Sequence, residues 1–324
     1  MSELLIEGVG VVKHFPVRAP GLFGRRTGAV HAVNGVSLVV RRGETLALIG
    51  ESGCGKTTLG RVLAGLYPAT AGEVRFAGQS LAGLDRAGRR RHRRSVQLIF
   101  QDPYGSLDPR MTAGAIIDEP LAIHRLGSAA ERRARVAELM RAVGLAPVLA
   151  DHYPHEFSGG QRQRIGIARA LAPDPALVIA DEPVSALDVS IQSQILNLLR
   201  ELQAARGLAY LFITHDLAAV DFLADRVAVM YAGRIVEYGQ RAQVLEAPRH
   251  PYTVALRAAV PEPGRGKRQL GGALRGEVPN PMALPAGCPF HPRCPKAVDE
   301  CRRTLPRLAP VAGTPGQFAA CHLV

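Results

Sequence analysis

The stretch TLALIGESGCGKTT, residues 45 to 58, decides the fold. Thr45 to Ile49 is a short apolar run typical of a strand, and the residues after it fit the pattern Gly-x-x-x-x-Gly-Lys-Ser/Thr, followed by a helical segment. Glycines at these positions let backbone N–H groups turn inward around phosphate oxygens, and the helix adds its positive end. Lys56 is placed to reach β- and γ-phosphates and the Thr57 hydroxyl to ligate Mg²⁺. The stretch therefore predicts a nucleotide-binding loop made of Gly50, Glu51, Ser52, Gly53, Cys54, Gly55, Lys56, Thr57 and Thr58.

A second apolar strand, LVIADE at residues 177 to 182, ends in two carboxylates. Asp181 is expected to hold Mg²⁺, directly or through water, and Glu182 to polarise the attacking water as general base. Two carboxylates at the end of a strand are by themselves also typical of a solvated loop. The upstream phosphate-binding pattern favours the catalytic interpretation.

Alternating strands and helices indicate the fold class. Apolar runs at 45–49, 96–100, 177–180 and 210–213 alternate with helical stretches, which predicts an α/β fold with a mainly parallel sheet. The runs 6–15 and 36–40 have no helix between them and predict an antiparallel β flank, separated by an exposed loop over Arg18 to Gly28.

The pattern also predicts the domain organisation. An inserted helical subdomain is expected over about 104–165, with one apolar helix face formed by Val136, Leu139, Met140 and Val143. A composition shift to Pro, Gly and Arg near residue 247 predicts an ATPase domain over 1–247 and an irregular cysteine-containing extension over 248–324.

The chain carries 40 basic and 28 acidic residues, a net charge of +12, and nearly all the positive charge is arginine. Such a surplus is compatible with nucleic acid or an anionic membrane surface and does not choose between them. The densest run, Arg89 to Arg94, is interpreted as a solvated loop. Neither a bilayer-spanning apolar stretch nor a secretory signal is evident, so a cytoplasmic location is expected.

The sequence FSGGQRQ at residues 157 to 163 is, by itself, a helix start capped by Ser158. Together with the motifs above it resembles the LSGGQ signature of the ABC ATPase family, and the resemblance extends from about residue 3 to 247. Gln101 in IFQDP matches the family's Q-loop glutamine, Asp188 in SALD its D-loop, and His215 in ITHD its switch histidine.

The resemblance implies a sandwich of two ATPases, in which each ATP lies between the phosphate loop of one subunit and the signature of the other. The signature residues Ser158, Gly160 and Gln161 would then face the nucleotide across the interface, and Asp188 would couple the two sites. His215 would hydrogen-bond the γ-phosphate, and Gln101 would sense Mg²⁺. An early aromatic residue stacks on adenine in this family, and Phe15 is the best match.

The tail contains HPYT from residue 250, GCPFHPRCP from residue 287 and two further cysteines, Cys301 and Cys321. It resembles the C-terminal extension of the oligopeptide and dipeptide importer branch, which includes nickel importers, and the early residues resemble that branch's second ATPase. Clustered cysteines in a reducing compartment favour a metal site over disulfides. The resemblance implies a [4Fe-4S] cluster on Cys288, Cys294, Cys301 and Cys321, with zinc or free thiols as the alternatives.

The sequence as a whole predicts the ATP-hydrolysing subunit of a peptide importer, acting peripherally on the cytoplasmic face of the inner membrane. Its expected partners are a sister ATPase or a second copy, two permease subunits and, indirectly, an extracytoplasmic substrate-binding protein. Nickel or another small solute is the alternative cargo. A nucleic-acid-associated ABC ATPase is disfavoured, because those proteins usually carry two ATPase domains or long coiled coils.

Overall fold

Short buried strands alternate with helices along the chain, and the predicted α/β fold class is confirmed. The computed structural model describes residues 3–18, 26–102, 104–259 and 276–324. Its contacts divide the chain into two units, the first made of Met1–Ile6, Val39–Thr45 and Arg75–Thr214, the second of Glu7–Leu38, Leu46–Val74 and His215–Val324.

Three parallel strands form the centre of the first unit: β6 (Val96–Ile99), β7 (Leu177–Asp181) and β8 (Ala209–Thr214). Val96 pairs with Leu177, and Leu177 pairs with Ala209. Strands β7 and β8 are buried along their whole length, as expected for parallel strands that are covered on both faces. Both strands end at the same edge, which is where the predicted carboxylate pair lies.

The described residues of the first unit form five α-helices and two short 3₁₀ helices, Pro147–Asp151 and Pro154–Glu156. The bounds of the α-helices are α2 Arg86–Ser95, α3 Ala113–His124, α4 Ala129–Ala142, α5 Gly159–Leu171 and α6 Val189–Arg206. The predicted apolar face near α4 is confirmed, because Val136, Leu139, Met140 and Val143 are all buried.

The run Arg89 to Arg94 lies in helix α2, so the predicted loop is wrong. Asp85 caps this helix by accepting a 2.6 Å hydrogen bond from the backbone N–H of Gly88. Arginine has a good helix propensity, and one side of the run is anchored by the buried His92 while the arginines stay exposed. A charge run therefore forms a regular helix here.

The region predicted as the antiparallel flank contains β1 (Leu4–Arg18), β2 (Arg26–Arg41) and β4 (Ala71–Phe76). These strands lie in one sheet in the order β2-β1-β4, and most of their residues belong to the second unit. In the first unit Arg75 and Phe76 of β4 pair antiparallel with β5 (Gln79–Ser80). The predicted loop over Arg18 to Gly28 lies partly outside the described residues, and Arg26 to Gly28 already belong to β2.

The second unit contains the strand that leads into the phosphate-binding pattern. Strand β3 (Thr45–Ile49) pairs parallel with β9 (Arg226–Tyr231), which pairs antiparallel with β10 (Arg234–Gln240). The tail extends this sheet, because β12 (Phe318–Ala319) pairs with β10 and β11 (Ala309–Pro310) pairs with β12. The helices of this unit are α1 Lys56–Leu63, α7 Leu217–Leu223, α8 Arg241–Glu246, α9 Pro251–Ala258 and α10 Asp299–Arg303.

The core of the second unit joins β3 and β9 to the tail. Tyr231, Tyr252 and Phe290 are at most 1% exposed and form one aromatic group with ring centroids 4.6 to 5.5 Å apart. Cys288 and Cys301 lie in the same cluster. In the described part of the chain no helix is long and apolar enough to cross a membrane.

Candidate active site

The phosphate-loop pattern forms a tight turn between β3 and α1 in the second unit. Gly50 has φ +153°, and a Cβ there would lie 2.2 Å from the carbonyl oxygen of Met230. Gly55 has φ +107°, and its Cβ would lie 2.0 Å from the carbonyl oxygen of Ala32. Both positions exclude any side chain, so this shape of the loop requires glycine at both of them.

Helix α1 begins at Lys56, directly after Gly55, and no side-chain cap satisfies its first N–H groups. Those donors and the positive end of the helix suit an anionic group. Lys56 as a residue is 5% exposed, and its ammonium donates to the carbonyl oxygens of Gly50 and Glu51 at 2.7 and 3.0 Å. Its charge is therefore held within the loop. Burial raises the pKa of the Cys54 thiol, which makes this loop cysteine a packing residue.

The predicted carboxylate pair ends β7 in the first unit. Asp181 is 4% exposed, and Glu182 follows it with φ +47°, a conformation that costs a residue with a side chain about 1 to 3 kcal/mol. The Glu182 backbone N–H donates 2.8 Å to the carbonyl oxygen of Ile213, which fixes this turn. The Gln101 amide then donates 3.1 Å to Oε2 of Glu182. The first unit thus brings two predicted catalytic residues together.

The predicted signature forms the start of α5. The Ser158 hydroxyl accepts from the N–H of Gln161 at 3.3 Å, and the Gln161 side chain accepts from the N–H of Ser158 at 2.9 Å. The pair is a capping box, as the sequence pattern indicates. Gly160 is packed tightly, since a Cβ there would lie 2.6 Å from Cγ2 of Ile191, and Asp188 is the N-cap of α6.

Comparison with known proteins identifies the family. A family model described as "ABC transporter" matches residues 33–185, and one described as "Oligopeptide/dipeptide transporter, C-terminal region" matches residues 236–301. The probable peptide ABC transporter ATP-binding protein y4tS of Sinorhizobium fredii is 51% identical over 323 residues, which cover 100% of this chain and 91% of that protein. The oligopeptide transport ATP-binding protein AppF of Bacillus subtilis is 49% identical, with 99% of this chain and 98% of that protein covered.

The chain belongs to the ABC transporter family of ATP-binding proteins. It is an ABC-type ATPase that carries the oligopeptide/dipeptide transporter C-terminal region.

Solved ABC structures share the fold. The ATP-binding cassette MJ0796, solved as a dimer in a post-hydrolysis state with ADP and Pi, is 30% identical, with a TM-score of 0.64 over 73% of this chain and 99% of that one. The cbiO1 protein of Clostridium perfringens, part of the ABC transporter complex cbiONQ, is 28% identical, with a TM-score of 0.64 over 79% of this chain and 96% of that one.

The remaining predicted ABC residues lie in the second unit. His215 directly follows β8 and begins the last segment of this unit. Phe15 is half-buried in β1, where its ring meets Tyr67 edge-on at 5.6 Å and the Lys13 ammonium lies 5.0 Å from its centroid. One face of Phe15 is thus already occupied within the protein. Its contact with adenine stays a prediction.

Two functional candidates were missed in the sequence. Arg293 donates to both carboxylate oxygens of Glu51, at 2.6 and 3.0 Å, and the Glu51 N–H donates 2.8 Å to the hydroxyl of Tyr252. The hydrogen bonds to Glu51 raise the pKa of the Arg293 guanidinium, which stays charged. Both residues occur in tail motifs, HPYT and CPFHPRCP, but no local pattern connects these motifs to a loop about 200 residues earlier.

The four tail cysteines lie close enough to affect one another. Burial first, then the charges of the neighbouring thiols, raises the pKa of Cys288, Cys294 and Cys321. The Cys288 N–H also donates 2.8 Å to the carbonyl oxygen of Cys301. Over residues 3–18, 26–102, 104–259 and 276–324, however, no three Cys, His, Asp or Glu side chains are placed to hold a metal ion. The predicted iron–sulfur or zinc site is therefore not supported by the geometry.

The tail has an apolar anchor of its own. Phe290 is 1% exposed and packs against Tyr231 and Tyr252. Burying an aromatic ring of this size favours the folded tail by a few kcal/mol, about 2 to 3. Apolar burial around Phe290 therefore contributes to the folding of the tail.

Proposed function

We propose that this ABC ATPase energises the uptake of di- or oligopeptides through a membrane permease. The observation that carries the proposal is the pairing of Gln101 with Glu182 in a chain that also holds a glycine-shaped loop around the buried Lys56 ammonium. A water-orienting carboxylate and a phosphate-binding loop are two of the parts that phosphoryl transfer requires. The peptide cargo is inferred from relatives whose names specify peptides and from the matched C-terminal region.

In the proposed mechanism the loop from Gly50 to Thr58 binds the phosphates. Backbone N–H groups and the Lys56 ammonium hold the β- and γ-phosphate oxygens. Glu182 accepts a proton from the attacking water, and its bond with Gln101 orients the carboxylate. His215 donates to the γ-phosphate and keeps the water in line.

The proposed Mg²⁺ ligands are the Thr57 hydroxyl, the Asp181 carboxylate and the Gln101 amide. This donor set fits the ion, because Mg²⁺ prefers hard oxygen ligands. When bound, Mg²⁺ neutralises charge on the phosphate oxygens. Asp181 is buried at the end of β7, a position that holds its carboxylate rigidly.

We further propose that two ATPases complete one another. Ser158, Gly160 and Gln161 at the start of α5 would approach the nucleotide of the partner ATPase, and Asp188 would couple the two sites. The start of α5 presents backbone N–H groups and the positive end of a 13-residue helix, which suits a γ-phosphate. The partner is a sister ATPase or a second copy, and both dock on two permease subunits at the cytoplasmic face of the inner membrane.

The four tail cysteines are proposed as ligands of a [4Fe-4S] cluster on the chemistry of the donors alone. Burial and then the neighbouring thiols raise the pKa of Cys288, Cys294 and Cys321, and thiolates suit iron–sulfur clusters or tetrahedral zinc. The placement of the side chains counts against this proposal. No catalytic step depends on it.

The cargo is tested with the whole transporter reconstituted in nanodiscs with its permease subunits, sister ATPase and binding protein. Dipeptides or oligopeptides should stimulate ATP hydrolysis several-fold, whereas a Ni²⁺ complex should not. Stimulation by Ni²⁺ alone would replace the peptide cargo with the metal, and stimulation by nucleic acid would overturn the transport function.

A further inference from the structure

The C-terminal tail is bonded to the phosphate loop through one ion pair. The guanidinium of Arg293 donates from Nη1 to Oε2 of Glu51 at 2.6 Å and from Nη2 to Oε1 at 3.0 Å. Such parallel, two-point pairs are the strongest and most directional ones that arginine makes. Arg293 is 5% exposed and Glu51 23% exposed, so water screens the pair only in part.

Arg293 is held in position before it reaches the loop. It ends a 3₁₀ turn, His291–Arg293, and its backbone N–H donates 2.9 Å to the carbonyl oxygen of Phe290. Phe290 is buried against Tyr231, and the Tyr231 hydroxyl accepts a further hydrogen bond from Nη1 of Arg293 at 3.3 Å. The tail and Tyr231 of β9 therefore orient the guanidinium in addition to Glu51.

A second tail contact holds the main chain of the same residue. The Tyr252 hydroxyl accepts the N–H of Glu51 at 2.8 Å, while the carbonyl oxygen of Glu51 accepts from Lys56 at 3.0 Å. The side chain, N–H and carbonyl of Glu51 are thus all engaged. The first variable residue of the phosphate loop is fixed by two residues of the tail.

The charge of Glu51 is unfavourable for the proposed ligand. A nucleotide triphosphate is a polyanion, and a carboxylate on its binding loop repels it unless a cation neutralises that carboxylate. Arg293 supplies such a cation, and it leaves the Lys56 ammonium available for the phosphates.

We infer that Arg293 is a positioning residue for nucleotide binding: it neutralises Glu51 and fixes the phosphate loop, so that the C-terminal tail sets the nucleotide affinity. The inference rests on the proposed role of residues 50 to 58 as the nucleotide loop.

A double-mutant cycle on the full chain tests this inference, with binding of a non-hydrolysable ATP analogue as the readout. Arg293→Gln leaves Glu51 unneutralised and should weaken binding about tenfold. Glu51→Gln should tighten binding by about twofold, because it removes a repulsive charge and leaves Arg293. The double variant Glu51→Gln/Arg293→Gln carries neither charge and should bind within about threefold of the wild type. Arg303→Gln, which removes an exposed tail arginine, is the matched control and should change nothing.

The signs of the effects separate positioning from a simple structural bond. Equal weakening in both single variants, with no recovery in the double variant, would show that the ion pair only stabilises the fold, and this result would overturn the inference. Wild-type affinity in Arg293→Gln would overturn it as well. If Arg293→Gln fails to fold, Arg293→Lys keeps the charge without the two-point geometry, and its affinity should fall by less than about threefold. Salt should reduce the defect of Arg293→Gln, because it screens the partly exposed Glu51 carboxylate.

The control for the proposed function is Lys56→Ala. If the wild type binds the analogue and Lys56→Ala does not, the nucleotide loop is established and the cycle decides the role of Arg293. If the wild type and Lys56→Ala bind equally, the proposed function fails before the inference is reached.

Discussion

The amide of Gln101 donates a 3.1 Å hydrogen bond to the carboxylate of Glu182, which itself has a left-handed backbone conformation. A strained residue with a fixed side-chain partner at a strand end is typical of a catalytic position. The bond orients the carboxylate through Oε2. Replacing the Glu182 carboxylate with its amide isostere should therefore impair catalysis.

Glu182→Gln should leave nucleotide binding intact and lower steady-state ATP hydrolysis by about two to four orders of magnitude, because the water loses its base while the phosphate loop is unchanged. The measurement is ATP turnover by the assembled transporter beside nucleotide affinity. Glu201→Gln, an exposed carboxylate on α6, is the control and should keep full turnover. Near-normal hydrolysis by Glu182→Gln would assign the base elsewhere.

Gly55→Ala should abolish nucleotide binding and destabilise the protein by about 2 to 4 kcal/mol, because the new Cβ would lie 2.0 Å from the carbonyl oxygen of Ala32 at φ +107°. Thermal unfolding and analogue binding measure the two effects. Gly166→Ala in α5 is the matched control, since a Cβ there meets nothing within 4 Å, and it should be neutral or slightly stabilising. A Gly55→Ala protein that binds normally would show that the loop rearranges.

Lys56→Ala and Ser158→Arg should impair different steps, nucleotide binding in the first variant and the association of two ATPases in the second. The first removes a cation from the phosphate loop and should weaken nucleotide binding to the isolated chain. The second should leave that binding unchanged and block the association of two ATPases, which sedimentation in the presence of ATP would measure. Arginine also removes the cap that Ser158 gives α5, at a cost of about 1 kcal/mol, so melting is measured alongside. Loss of nucleotide binding by a folded Ser158→Arg chain would contradict the cross-interface role.

The elements with strong local signals could be predicted from the sequence, and their bounds are close to those observed. Strand β3 matches its prediction at Thr45–Ile49, because an apolar β-rich run between a polar turn and a glycine loop predicts a buried strand. The Arg89 to Arg94 run was misassigned, since charge density says little about backbone conformation when a capping Asp85 precedes it.

The contacts between the tail and the phosphate loop could not be predicted from the sequence, for a different reason. Arg293 and Glu51 are 242 positions apart, and the packing of Phe290 and Tyr252 in the core brings the tail to the loop. Tertiary contacts of this kind carry no periodicity or spacing that one sequence can reveal. Sequence motifs indicated each end of the ion pair without indicating that they meet.

Acid should destabilise the protein through His250. Burial lowers the pKa of this imidazole to about 4, below its ordinary value, while its Nδ1 accepts the N–H of Tyr252 at 3.0 Å and caps α9. The unfolded chain therefore takes up a proton before the folded chain does, and stability that is present above pH of about 6.5 is lost as the pH falls toward about 4. The expected loss from this group is up to about 3 kcal/mol.

His250→Asn tests this pH dependence, because Asn keeps an acceptor for the cap and does not titrate. The midpoint of urea unfolding should fall less between pH 7 and 5 in this variant than in the wild type. His155→Asn removes an exposed histidine and should retain the wild-type slope. Identical slopes in His250→Asn and the wild type would show that another group, such as the buried His92 whose pKa burial also lowers to about 4, dominates the acid response.

Cys288, Cys294, Cys301 and Cys321 provide the last prediction. If these thiols bind a [4Fe-4S] cluster, anaerobically purified protein should be brown and contain about four irons per chain. Cys294→Ser should lose the colour, whereas Cys54→Ser, which changes the phosphate-loop cysteine, should keep it. Phe290 remains buried in either case, so the tail of Cys294→Ser should loosen near the cysteines and stay attached at its aromatic anchor, which proteolysis would show. Zinc at one per chain without iron would replace the cluster with a zinc site. A protein that contains neither iron nor zinc would agree with the side-chain placement, and the four cysteines would then be ordinary thiols.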